Sequence, residues 1–192
     1  MSTAEAKPEA PSRLRSPLVI AVTAVLVIAV AAVQDSAALA VLRGVLVLVL
    51  VPCAVIDVER RIIPNRLTGP AAVAAVTLGL LLDPSHEPRR LLWAAVAGGF
   101  LFITALVNPA GMGMGDVKLL AVMGLFLGRS VIVALVIALL GSVVAGLAIA
   151  RRRGVRAARK TGLPFGPYLA AGGVIAALVG DPILHAYLTL HR

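Results

Sequence analysis

Residues 37–57 read AALAVLRGVLVLVLVPCAVID. The run is mostly apolar and has the length of about 20 residues that a helix needs to cross the hydrocarbon layer of a bilayer. It closes on an acid, Asp57. Working outward, further apolar segments fall at Leu18–Val33, Leu67–Leu82, Leu91–Val107, Val117–Leu127, Val131–Ala150 and Phe165–Gly180, beside Ala37–Ile56 itself. This pattern reads as an all-α, polytopic transmembrane helical bundle of about seven spanning helices. Several segments are short, so the helices are expected to run a few residues past their apolar edges.

Composition excludes the main alternatives. The 192 residues are 60% apolar and 14% charged, with a mean hydropathy of +1.00. Soluble domains are nearer half apolar and a quarter charged. The net charge of +9 does not point to nucleic acid, because the basic residues lie in short clusters between apolar runs, the way membrane orientation is encoded. The single cysteine, Cys53, sits inside an apolar run; it has no disulfide or CxxC partner and reads as a small buried residue.

Residues 1–17, with Pro8, Pro11 and Pro17, read as a disordered cytoplasmic tail, and residues 18–192 as one transmembrane domain. The run after Arg13 and Arg15 has some features of a secretory signal, but further membrane segments follow at once, so it reads as the first spanning helix. The eleven-residue fifth segment is short for a crossing, and Gly128-Arg129-Ser130 separates it from the sixth. Basic residues decide between one crossing and two. With seven crossings and the tail inside, Lys7, Arg13, Arg15, Arg60, Arg61, Arg66, Lys118 and the six from Arg151 to Lys160 are cytoplasmic, 13 of 18. Fusing segments five and six would move those last six outside. The positive-inside bias favours seven, with the N-terminus in and the C-terminus out. The fifth helix is then expected to tilt little or to meet a thinned bilayer. Trp93, Tyr168 and Tyr187 fall where interfacial aromatic belts belong.

Acids are few. Asp35, Asp83, Glu87 and Asp181 fall on the outer side, Glu5 and Glu9 in the tail, and Asp57, Glu59 and Asp116 on the inner side. Asp57 ends the second segment, ahead of Pro64-Asn65, a turn after which Asn65 or Thr68 is a candidate helix cap. Its structural reading is an interfacial acid paired with Arg60 or Arg61. Asp116 closes Gly113-Met114-Gly115-Asp116; its structural reading is the N-cap of the fifth helix. The chemical reading is that the glycines clear room for a peptide beside the carboxylate. Two carboxylates at one membrane face are the makings of a shared-proton pair, one ionised to activate water and one protonated to polarise a carbonyl. No HExxH or GxSxG is present, and His86, His185 and His191 fall on the opposite side, which disfavours a metal site or a serine nucleophile at the aspartates.

At these residues the chain resembles the type IV prepilin peptidases, which belong with the GxGD intramembrane aspartyl proteases. Asp57 followed by Ile63-Pro64-Asn65-Arg66-Leu67-Thr68 resembles the family's first aspartate and its turn. Gly113-Met114-Gly115-Asp116-Val117-Lys118-Leu119 resembles its GxGDxKL motif. Pro164-Phe165-Gly166-Pro167-Tyr168-Leu169-Ala170 resembles the segment before its last helix. The resemblance implies a six-helix peptidase core plus an N-terminal helix. It also implies an endopeptidase that removes basic leaders from prepilins and pseudopilins at the cytoplasmic membrane face, without metal or other cofactor. Asp57 and Asp116 would be catalytic, and Gly113, Gly115, Pro64, Asn65, Pro164, Gly166 and Pro167 would shape the site or bind substrate. Lys118 belongs to the motif, but its simpler reading is a lysine snorkelling to the interface. Only Gln34-Asp35-Ser36 joins the first two segments, where larger relatives carry an insert with paired CxxC motifs. This implies a short type that cuts without methylating. The competing reading is a non-enzymatic membrane scaffold or transport component, in which both aspartates are merely interfacial.

Overall fold

The computed structural model describes residue 14, residues 16–107, 112–153 and 164–190. Among the described residues, seven α-helices follow one another: α1 Pro17–Ala32, α2 Ala37–Arg60, α3 Asn65–Leu82, α4 Glu87–Val107, α5 Met114–Leu127, α6 Val131–Arg153 and α7 Gly166–Leu190, with 3-10 turns at Pro84–His86 and Gly128–Ser130. No strand occurs among the described residues. Of the tail expected over residues 1–17, only Leu14, Ser16 and Pro17 are described, and Pro17 already begins α1.

The chain is a polytopic membrane protein. Leu81, Phe100, Val107, Leu140 and Val144 are exposed on the bundle's flanks, a surface that suits hydrocarbon and not water. Five helical stretches are long and apolar enough to cross a membrane, α5 and α6 forming one continuous stretch of 39 residues, and α1 is a shorter apolar helix. The 39-residue stretch is nevertheless bent back on itself. Gly128, at φ 55, is left-handed and lies beside Arg90 at the start of α4. Going back along α5, Gly124 packs on Ala94 and Gly98 on Ala121, so α4 and α5 are antiparallel. Beyond the turn, Ser130 meets Gly180, Ala134 meets Gly172 and Gly141 meets Tyr168, so α6 runs antiparallel to α7. The two segments are therefore separate passes. α5 is short because it is enclosed: Val117, Leu119, Leu120, Val122, Met123 and Phe126 are all buried. An enclosed helix need not match the bilayer thickness, so the expected thinned bilayer is not required.

Charged ends account for the other differences. Hydropathy places the end of the second segment at Ile56, yet α2 continues through Asp57 to Arg60 before Arg61 closes it. α4 likewise begins at Glu87, and α7 runs on to Leu190. Cys53 is buried and free, as expected.

The bundle has two chemically distinct ends. At one, Asp57 of α2 meets the start of α7, and Asp116 lies in the first turn of α5. At the other, Arg43 of α2, Arg90 of α4 and Arg129 of the Gly128–Ser130 turn surround Asp83 and Asp181. A cavity of about 670 Å³ opens at this arginine end, lined by His86, Trp93 and His185 among others. His86 and His185 thus fall opposite the aspartates, while His191 lies outside the described residues.

Candidate active site

Asp57 sits one turn before the end of α2 and is buried to 6% exposure. The Gly166 backbone N–H donates to its Oδ2 at 3.0 Å. Gly166 opens α7, so the positive end of that helix dipole is aimed at the carboxylate. A β-carbon at Gly166 would stand 2.7 Å from the same oxygen, which is why the approach needs glycine. Pro167 follows in the first helical turn, where its missing N–H is no loss. Pro164 and Phe165 lead in, and Phe165 packs on the core.

Asp116 lies in the first turn of α5. The N-cap is Gly113 and not Asp116, whose own N–H donates to the Gly113 carbonyl at 3.1 Å. The carboxylate at the third helical position still gains from the helix dipole. A β-carbon on Gly113 would come within 3.3 Å of Asp116 Oδ2, so this glycine keeps the carboxylate uncrowded. Gly115 does something different from the expected clearing of space for a substrate. Its open side is filled by the chain itself, with Ile63 packed where a side chain would stand.

The two aspartates, far apart in sequence, are within coulombic reach of each other. Neither makes an ion pair among the described residues. Near them, the cap of α3 is Pro64, without a side-chain cap bond, so neither Asn65 nor Thr68 caps that helix. Thr68 is buried, and Asn65 is engaged elsewhere: Lys118 Nζ donates to its Oδ1 at 2.9 Å. Lys118 is thus tied to a specific partner, which the snorkelling reading does not provide for. An apolar groove of about 450 Å³ opens beside this pair, walled by Gly69, Ala72, Ala94 and Ala121.

The sequence pattern of the type IV leader peptidase family matches residues 44–150, a stretch that holds both aspartates. The chain belongs to this family. It is 34% identical to the prepilin leader peptidase/N-methyltransferase of Aeromonas hydrophila over 193 residues, 94% of this chain and 64% of that protein. The protein of the same name from Bacillus subtilis (strain 168) is 34% identical over 150 residues, 76% of this chain and 58% of the relative. That of Stutzerimonas stutzeri is 35% identical over 153 residues, 74% of this chain and 51% of the relative. The chain spans roughly half to two thirds of these relatives' length. No solved structure matches it.

Two roles are not legible in the sequence: Ile63, part of the family-like turn, fills the space at Gly115, and Arg61, a candidate partner of Asp57, holds the left-handed φ of 54 that ends α2. Nothing in the local sequence marks either role. An arginine in that conformation has no sequence signature, unlike glycine.

Proposed function

We propose that the chain is a membrane aspartyl endopeptidase that removes the basic leader peptide from type IV prepilins or pseudopilins, with Asp57 and Asp116 as its catalytic pair. The observation that supports this reading is that the two carboxylates, on different helices, lie at the same end of the bundle, where Ile63 just beyond Asp57 packs on Gly115 just before Asp116, in a chain of the leader peptidase family. The pair holds one proton between them. The ionised carboxylate takes a proton from water as the water oxygen bonds to the scissile carbonyl carbon. The protonated partner gives its proton to the carbonyl oxygen. Collapse of the resulting diol breaks the C–N bond: the nitrogen leaves with the proton that the first carboxylate took from water, a diol hydroxyl gives its proton to the second carboxylate, and the pair again holds one proton. No metal or cofactor enters these steps.

The aspartate end is assigned to the cytoplasmic face of the cytoplasmic membrane, with the N-terminus inside, on the basic-residue count. A single cysteine at Ile62, in a Cys53→Ala background, is then shielded from impermeant thiol reagents added outside, and one at Ser85 is labelled. The reverse pattern would invert the topology. Cleavage without methylation is favoured by the short Gln34–Ser36 connection between α1 and α2. Mass spectrometry of the cut pilin is expected to show an unmodified N-terminus; a +14 Da product that depends on this chain would refute this part.

Co-expression with candidate prepilins, followed for a leader-sized loss of mass, tests the reading as a whole. Wild-type protein is expected to produce the shortened product, and Asp57→Asn or Asp116→Asn protein, inserted at the same level, is expected not to. A scaffold or transport component would tolerate either substitution.

A further inference from the structure

Asp57 and Asp116 belong to different helices, so a device must hold the gap between them. The segment that leaves α2 is suited to it. Arg61 donates its N–H to the Asp57 carbonyl at 2.9 Å. It is the one non-glycine residue with positive φ among the described residues, a backbone state that works against its β-carbon. The surroundings must therefore hold it there. Two residues on, Ile63 lies on Gly115: a β-carbon at 115 would be 2.9 Å from Ile63 Cβ and 3.4 Å from its nitrogen. Pro64, at φ −74, turns the chain into α3, and Asn65 Oδ1 then accepts from Lys118 Nζ at 2.9 Å. The two contacts flank Asp116, one residue before it and two after.

We propose that residues 61–65 form a strap from the end of α2 to the first turn of α5, fastened by the Ile63–Gly115 contact and the Asn65–Lys118 hydrogen bond, and that this strap sets the separation of the two aspartate carboxylates. The inference rests on the reading of Asp57 and Asp116 as the catalytic pair. Asn65 and Lys118 are positioning residues under it. Asn65 ends the segment that leaves α2, and Lys118 lies on α5; both helices are stiff, so a small slip at the fastening moves one carboxylate relative to the other. Catalytic geometry tolerates little such movement. The alternative is that both side chains touch substrate from the mouth of the apolar groove they border.

The test uses purified full-length protein in lipid vesicles and a prepilin for which Asp57→Asn and Asp116→Asn have already been found inert. If those variants cleave, the catalytic assignment fails before the strap is examined. Asn65→Leu and Lys118→Met are each expected to lower kcat about tenfold, the size of one hydrogen bond to a charged group, with KM within about twofold. The double variant is expected to be no slower than the slower single, because both remove the same bond. Asn65→Asp keeps the acceptor oxygen and is expected to retain most of kcat. Both side chains are exposed, so the packed core is untouched, and melting of each variant checks that. Singles within twofold of wild type, losses that multiply in the double variant, or a raised KM at unchanged kcat would each overturn the strap. The last of these would assign the residues to substrate contact.

Discussion

The two ends of the bundle hold acids in opposite ways. At the arginine end every buried or half-buried carboxylate has a cation. Arg43 pairs with Asp181, which also accepts from Ser130 at 2.5 Å. Arg90 donates to Asp83 at 2.6 Å and lies 3.4 Å from Glu87. His86 adds a contact to Asp83 at 2.7 Å. Arg43 is further held by Gln34 at 2.5 Å and by the Ala177 carbonyl at 3.1 Å, so α2, α7 and the connection between α1 and α2 are joined there. At the aspartate end the carboxylates are held by backbone, Asp57 by the Gly166 N–H and Asp116 by the first turn of its own helix. An acid locked to an arginine is a strut and resists taking up a proton. An acid held by backbone, with a second acid at the same end of the bundle, can give and take one. The larger cavity lies at the arginine end, yet its acids are already matched, so hollow space alone does not mark the chemistry.

Substitutions that cross this comparison sharpen it. The largest effect is expected from Gly166→Ala. The added methyl group has no room beside Asp57, and cleavage is expected to fall on the order of 100-fold, the usual consequence of displacing a catalytic group by about an ångström. Steady-state assays of the purified variant check this, and activity near wild type would mean that α7 does not position Asp57.

Next in size is Arg43→Ala, which leaves Asp181 without its closest cation. A loss of about 2 kcal/mol of stability is expected, below the usual figure for fully buried pairs because Asp181 is partly exposed. Thermal or denaturant unfolding in detergent reads this. The surviving folded protein is expected to cleave at the wild-type rate, and a selective loss of turnover would mean that the two ends are coupled.

The smallest effect belongs to Asp83. The His86 hydrogen bond, helped by Arg90 and opposed by burial, holds its carboxyl below the usual carboxylate range. A lowered pKa contributes stability that is fully present above the ordinary value, near pH 4, and is lost as pH falls through the lowered one. Asp83→Asn is therefore expected to cost about 1 kcal/mol or less at neutral pH. Below that window the variant and the wild type are expected to converge. Melting curves across pH check both statements.

Much of the fold was legible because the bilayer imposes a length on its helices. All seven segments are legible from hydropathy, and the differences lie where charged residues extend a helix beyond its apolar run, as at Asp57–Arg60 and Glu87–Arg90. The turn at Gly128–Ser130 was legible from charge counting, since the arginines after Ala150 need the extra crossing. The site was less so. Spacing does not bring Asp57 to Asp116; the family resemblance implies the pairing, and the folded chain puts both residues at one end of the bundle. The sequence alone presents Gly115 as space for a substrate, and only the folded chain puts Ile63 there. Local sequence presents Lys118 as an interface lysine; its partner Asn65 lies on another helix, and local sequence carries no mark of a contact between helices.

The central claim is that the aspartate end is one catalytic unit. Its most direct test is the rate of leader cleavage by purified Asp57→Asn, Asp116→Asn and the double variant, measured beside Asp181→Asn from the opposite end. The account predicts that each aspartate-end single is inactive, that the double is no worse than either single, and that Asp181→Asn, where it folds, cuts at the wild-type rate. Near wild-type cleavage by Asp57→Asn or Asp116→Asn would contradict it, and Glu59 would then be the acid to examine.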